Sequence, residues 1–131
     1  MTDFIEKLRA WFEVKLELKQ RQNCHNIREG EIWWCAIGEN VGVEINGKNK
    51  NFTRPVVILK KLSHFCFLGV PLTSQEHTGT WYAPFLFKNR QQYAAIAQIR
   101  VLSVYRLYRK MGEISRADYS LIKNSFLRLY S

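Results

Sequence analysis

Three short polar clusters, each joined to a strongly apolar run, limit what this chain can become. Arg54 heads RPVVIL, Thr73 and Ser74 close FLGVPLTS, and Gln98-Ile99-Arg100 lie inside AAIAQIRVLSV. Runs rich in β-branched and aromatic residues predict strands. Polar groups held at strand ends by a rigid sheet are well placed to form a site. Between two strand candidates, the Gly- and Asn-rich stretch from Gly38 to Phe52 predicts a long loop with room for a hairpin.

The rest of the pattern follows from periodicity. Ile5, Leu8, Phe12 and Leu16 recur at helical spacing behind Asp3 and Glu6, so residues 3–20 predict a helix, with Phe4 and Trp11 widening its stripe. KQRQNCHN then reads as a linker, so residues 1–27 form a helix-plus-linker unit ahead of a domain over 28–131. Five strands are expected: EIWWCAI, RPVVILKKL, FCFLGVPL, WYAPFLF and QYAAIAQIRVLSV. In the first, Ile32, Trp34 and Ala36 face one way and Trp33, Cys35 and Ile37 the other. From Ser115 onward, Tyr119, Ile122, Phe126 and Leu129 make one helical stripe, with Ser115 and Asp118 at its cap. The class is mainly β with helices at both ends, and the close strand spacing suits a small, highly curved barrel.

Charge narrows the partners. Twenty Lys and Arg against eleven Asp and Glu leave +9 on 131 residues, which favours an anionic partner or a merely well-solvated basic surface. The longest apolar stretch, Phe65 to Leu72, is too short to span a bilayer. With no signal-peptide layout, a cytoplasmic location is the default expectation. Cys24, Cys35 and Cys66 are an odd count without a CxxC pair, so neither a disulfide framework nor a zinc site is expected. Cys35 and Cys66 read as packed thiols. No HxH, HExxH or paired-carboxylate pattern occurs, so no metal or other cofactor is expected.

Six segments occur in the order REGEIWW, G-x-E, RPVVIL, PLTS, QIR and RLYRKMGEIS. In that order they resemble the MazF/PemK toxins, small endoribonucleases of type II toxin–antitoxin systems, over about residues 28–129. The resemblance implies an SH3-like barrel of the MazF/PemK/CcdB type, carrying a C-terminal helix and here an additional N-terminal one. It implies a homodimer, single-stranded RNA as substrate and a cognate acidic antitoxin, with DNA binding only through the antitoxin complex and no membrane partner. It also implies metal-independent cleavage to 2′,3′-cyclic phosphate and 5′-hydroxyl ends.

Candidate site residues follow from this match and from their chemistry. Arg54 is expected to steady the phosphorane charge, since a guanidinium forks onto two phosphate oxygens. Thr73 is expected to be essential, with Ser74 beside it as a substrate contact. Glu44, the acidic residue of GVE, is the expected base or the orienter of Arg54. Gln98 and Arg100 match the family's Q-I-R, and Lys48 and Lys50 are expected phosphate contacts. His77 could titrate as an acid or base near neutral pH, or be a bystander. Many relatives carry a carboxylate where this chain has Ala97, which moves proton acceptance toward Glu44 or His77. Trp33, Trp34, Trp81, Tyr82 and Tyr93 are base-stacking or core candidates. Alternative readings are a gyrase-poisoning toxin and a catalytically silent RNA-binding module on the same scaffold.

Overall fold

In the computed structural model, which describes residues 2–129, α1 (Thr2–Gln20) precedes seven strands and a closing helix. The strands are β1 (Glu31–Ala36), β2 (Thr53–Lys61), β3 (Cys66–Thr73), β4 (Tyr82–Phe87), β5 (Arg90–Ala95), β6 (Arg100–Ser103) and β7 (Leu107–Glu113); α2 spans Arg116–Arg128. Every pairing is antiparallel, in the order β4-β5-β3-β2-β1-β7, with β6 on β3. The path is not closed by hydrogen bonds. Its two ends nevertheless meet through side chains: Lys88 Nζ, just past β4, donates to the Met111 carbonyl of β7 at 2.7 Å. A Cβ on Gly112 would lie 2.9 Å from the Phe87 ring.

Seven strands replace the five expected, for two physical reasons. QYAAIAQIRVLSV runs along β3 in one direction but is interrupted. Leu72 pairs with Ala94 and Gly69 with Arg100, so three steps on β3 face six on its partner. The surplus folds into a 3-10 turn, Ile96–Gln98. Opposite the gap lies Pro71, which has no N–H to offer a ladder. Strand β7 hides in RLYRKMGEIS, expected only as a basic turn before the last helix. Its register against β1 skips Met111 and Tyr108, and these bulges erase the alternation by which strands are recognised.

The two faces of β1 divide as expected. Trp33, Cys35 and Ile37 pack with Val56, Ile58, Phe67, Leu102 and Leu107. Ile32 joins Val57, Leu59, Val70, Leu72 and Ile122 of α2 in a second cluster. Cys35 is fully buried, and burial pushes its thiol up to about 12, so it is an inert packing group. Cys66 is only half-buried and Cys24 is exposed; all three are free. Ser115 caps α2 by accepting from the Asp118 N–H at 3.1 Å.

Helix α1 docks through Trp11, at the edge of its apolar stripe, and through two residues outside that stripe. Trp11, Val14 and Leu18 are buried against Ala36 and Phe52, with Tyr108 alongside. Ile5, Leu8, Phe12 and Leu16, the expected stripe, are exposed. Asp3 lies in the first turn, paired with Lys7 at 3.8 Å, not at the cap. The linker is pinned as well: Arg21 Nη1 donates to the Tyr105 and Leu107 carbonyls, each at 2.9 Å. Positions 130 and 131 of the expected domain lie outside the described residues.

Candidate active site

Two strand ends, the middle of β1, the long loop and one hairpin surround an open cleft of about 370 Å³. Thr53, Arg54 and Pro55 come from the start of β2, Leu72 and Ser74 from the end of β3, and Trp34 from β1. Lys48 and Asn49 arrive from the long loop, and Lys88, Arg90 and Gln92 from the β4–β5 hairpin. That hairpin is tight because Lys88 and Asn89 both adopt positive φ, 50° and 64°, the geometry whose twist matches its strands. Among the described residues, four cations thus line the cleft and no carboxylate does. A shallower hollow continues from it over Trp34, Asn49 and Thr53, adding Lys50, Tyr108 and Arg109. Such a lining attracts polyanions and repels a divalent cation. Among the described residues no group of three metal-ligating side chains comes together.

Arg54 is half-buried, and burial lowers its pKa from the ordinary guanidinium value while still leaving a cation. Its Nε donates to the Asn46 carbonyl, so the loop orients the guanidinium. No ion pair involves Arg54 among the described residues. An unneutralised guanidinium on a cleft wall is ready for an anionic group.

The other expected residues divide. Lys48 and Ser74 stand in the cleft with Arg54, and Lys50 stands in the adjoining hollow. Thr73 is buried; its Oγ1 accepts from the Gln75 N–H at 3.2 Å and shapes the turn that presents Ser74. Glu44 is exposed and turned back on its own loop, accepting from the Val41 N–H at 2.9 Å. Gln98 does not line the cleft. It holds the loop instead, accepting from Ile45 N–H at 2.6 Å and donating to the Val43 carbonyl at 3.1 Å. Arg100 is exposed at the head of β6, outside the cleft. His77 stacks on Tyr82 with centroids 4.2 Å apart and meets Tyr93 edge-on at 6.5 Å. Tyr93 pairs with Thr73, so the imidazole lies near the end of β3.

Of the five aromatics expected from sequence, Trp34 reaches the cleft, where Phe87 joins it; Trp33 is buried with its Nε1 donating to Glu31. Sequence reasoning missed Lys88, Arg90, Gln92 and Arg109. They come from segments read as a plain turn and a basic stretch, and only the sheet order brings them to Arg54.

A family model described as the PemK-like, MazF-like toxin of type II toxin–antitoxin systems matches residues 28–130. Solved structures agree in fold. An endoribonuclease in complex with its cognate antitoxin from a mycobacterial species superposes with a TM-score of 0.64, at 15% identity, over 80% of this chain and 95% of that one. MazF from Deinococcus radiodurans gives 0.61 at 11% identity, over 83% and 98%. No curated protein sequence matches the chain significantly.

Proposed function

Because the chain belongs to the PemK-like, MazF-like toxins of type II toxin–antitoxin systems, we propose that it is an endoribonuclease acting on single-stranded RNA. The carrying observation is the cleft: four cations, no carboxylate, and Arg54 on its wall held by Asn46. Single-stranded RNA suits this lining, since phosphates meet the cations while a base can stack on Trp34.

In the proposed reaction the 2′-oxygen attacks the neighbouring phosphorus and the P–O5′ bond breaks. The products are a 2′,3′-cyclic phosphate and a 5′-hydroxyl. Arg54 supplies charge to the phosphorane, and the Ser74 hydroxyl holds a phosphate oxygen, with Thr73 setting that turn. Among the described residues, no carboxylate or imidazole lines the cleft. The 2′-hydroxyl proton therefore passes to water, or to Glu44 once the 41–44 turn opens on RNA, and the 5′-oxygen takes its proton from solvent or from Arg54. We assign the same cleft to an acidic segment of a cognate antitoxin, and a cytoplasmic homodimer as the working form. The mycobacterial neighbour, itself in complex with a cognate antitoxin, supports the first of these.

The test compares wild type with Arg54→Ala and Arg54→Lys on a long single-stranded RNA in EDTA, mapping product ends. Defined cuts with cyclic-phosphate ends, reduced at least about 100-fold in Arg54→Ala, are expected. Lysine should restore only part, since it keeps the charge without the fork. Binding without cleavage by folded wild type would overturn the enzymatic reading in favour of a silent RNA-binding module.

A further inference from the structure

Helix α1 buries Trp11, Val14 and Leu18 on the domain, yet its outward face carries five more large apolar side chains. Phe4, Ile5, Leu8, Phe12 and Leu16 are 61, 48, 40, 59 and 41% exposed. They follow helical spacing and form one contiguous stripe, which is more apolar surface than a free helix face normally shows to water. We propose that this face pairs with the same face of a second copy, antiparallel, about a two-fold axis between Leu8 and Phe12. α1 precedes the matched residues 28–130, so the proposal does not depend on the proposed function.

Charge selects the occupant. Within α1, Asp3, Glu6, Glu13 and Glu17 balance Lys7, Arg9, Lys15 and Lys19, four against four. The chain as a whole is +9, so the entire positive excess lies outside this helix. An acidic peptide or anionic lipid would be drawn elsewhere on the molecule. A neutral face of mixed sign suits its own copy.

The arrangement of those charges fixes the direction. Arg9 and Glu13, one turn apart on the same flank, both border the groove formed with Ile5, Leu8 and Phe12. A two-fold axis across the helix reverses the second copy, setting each Arg9 against the other Glu13 and Ile5 against Leu16. Parallel pairing would instead turn this flank toward the opposite flank of the second copy, and Arg9 would not meet Glu13.

The experiment measures self-association of the full chain by sedimentation velocity for wild type, Phe12→Glu, Arg9→Glu, Glu13→Arg and the double swap Arg9→Glu/Glu13→Arg. Helix content by circular dichroism and melting temperature check that each variant is folded. Scoring wild type against Phe12→Glu isolates the α1 step from association through any other surface. Phe12→Glu should abolish that step. Each single charge reversal should weaken it about tenfold, because two-fold symmetry applies the change twice, and the double swap should restore it. Identical association of wild type and Phe12→Glu would overturn the proposal. So would a double swap as weak as the single changes, or wild-type binding to phosphatidylcholine–phosphatidylglycerol vesicles that Phe12→Glu abolishes and the double swap does not alter.

Discussion

The side-chain amide of Gln98 grips the loop residue Ile45, accepting its backbone N–H at 2.6 Å while donating to the Val43 carbonyl at 3.1 Å. Through this contact the 3-10 turn opposite Pro71 controls the loop whose Asn46 carbonyl orients Arg54. A residue outside the cleft thereby sets the geometry of the guanidinium within it.

Replacing Gln98 by Ala leaves the Ile45 N–H without its partner, at about 1–3 kcal/mol of local loop stability. Cleavage should fall about tenfold while the global melting temperature changes little. Proteolysis should quicken within residues 41–47. Unchanged loop proteolysis would remove Gln98 from this positioning role.

RNA binding should weaken steeply with salt, because the cleft and its neighbouring hollow together present Lys48, Arg54, Lys88, Arg90, Lys50 and Arg109. Each single-strand phosphate contact contributes a slope of about −0.7 in log K against log salt. Substituting Lys48 and Arg90 together by Ala should flatten the slope by about 1.4. Fluorescence anisotropy on a short oligoribonucleotide across a salt series measures it.

Glu31 ties stability to pH. Burial alone would raise its pKa, but hydrogen bonds from Trp33, from Lys110 and from the Arg28 N–H hold it below the ordinary 4.5. A carboxyl depressed in the folded state contributes stability above its unfolded pKa and loses that contribution as pH falls through the folded one. Melting temperature should therefore drop from about pH 5 downward. Glu31→Gln should cost about 2 kcal/mol at pH 7 and remove part of that acid slope. Denaturant melts at pH 7 and pH 4 check both.

Gly38 admits α1 to its seat. A Cβ there would lie 2.3 Å from the Trp11 ring, and its φ of +92° is strained for any other residue. Gly38→Ala should cost about 2–3 kcal/mol. The loss should appear as a lower melting temperature and as tryptophan emission shifted to the red while Trp11 leaves its pocket.

Much of this was legible along the chain. The start of α2, the apolar runs of β1 to β4 and the placement of Arg54 and Ser74 at strand ends follow from caps, periodicity and order. Counting alternate positions over Ile32 to Ile37 assigned both faces of β1 correctly, because successive side chains of a strand point to opposite faces even where both faces are buried. The bulged β7 escaped, since charge and skipped residues removed that period.

The faces of α1 show the boundary most clearly. Two apolar stripes share that helix, and helical spacing fits both. The surface made by Ala36, Phe52 and the bare backbone of Gly38 accepts Trp11 and leaves Leu8 and Phe12 outside. The cleft obeys the same logic. The sequence by itself determined that Arg54 and Ser74 stand at strand ends and Lys48 in the loop before β2, because local spacing fixes local geometry. Only the tertiary structure decided that Lys88, Arg90 and Trp34 join them, that Glu44 turns away and that Gln98 holds the loop. Those relations are set by strand order and register, which depend on pairing between distant segments.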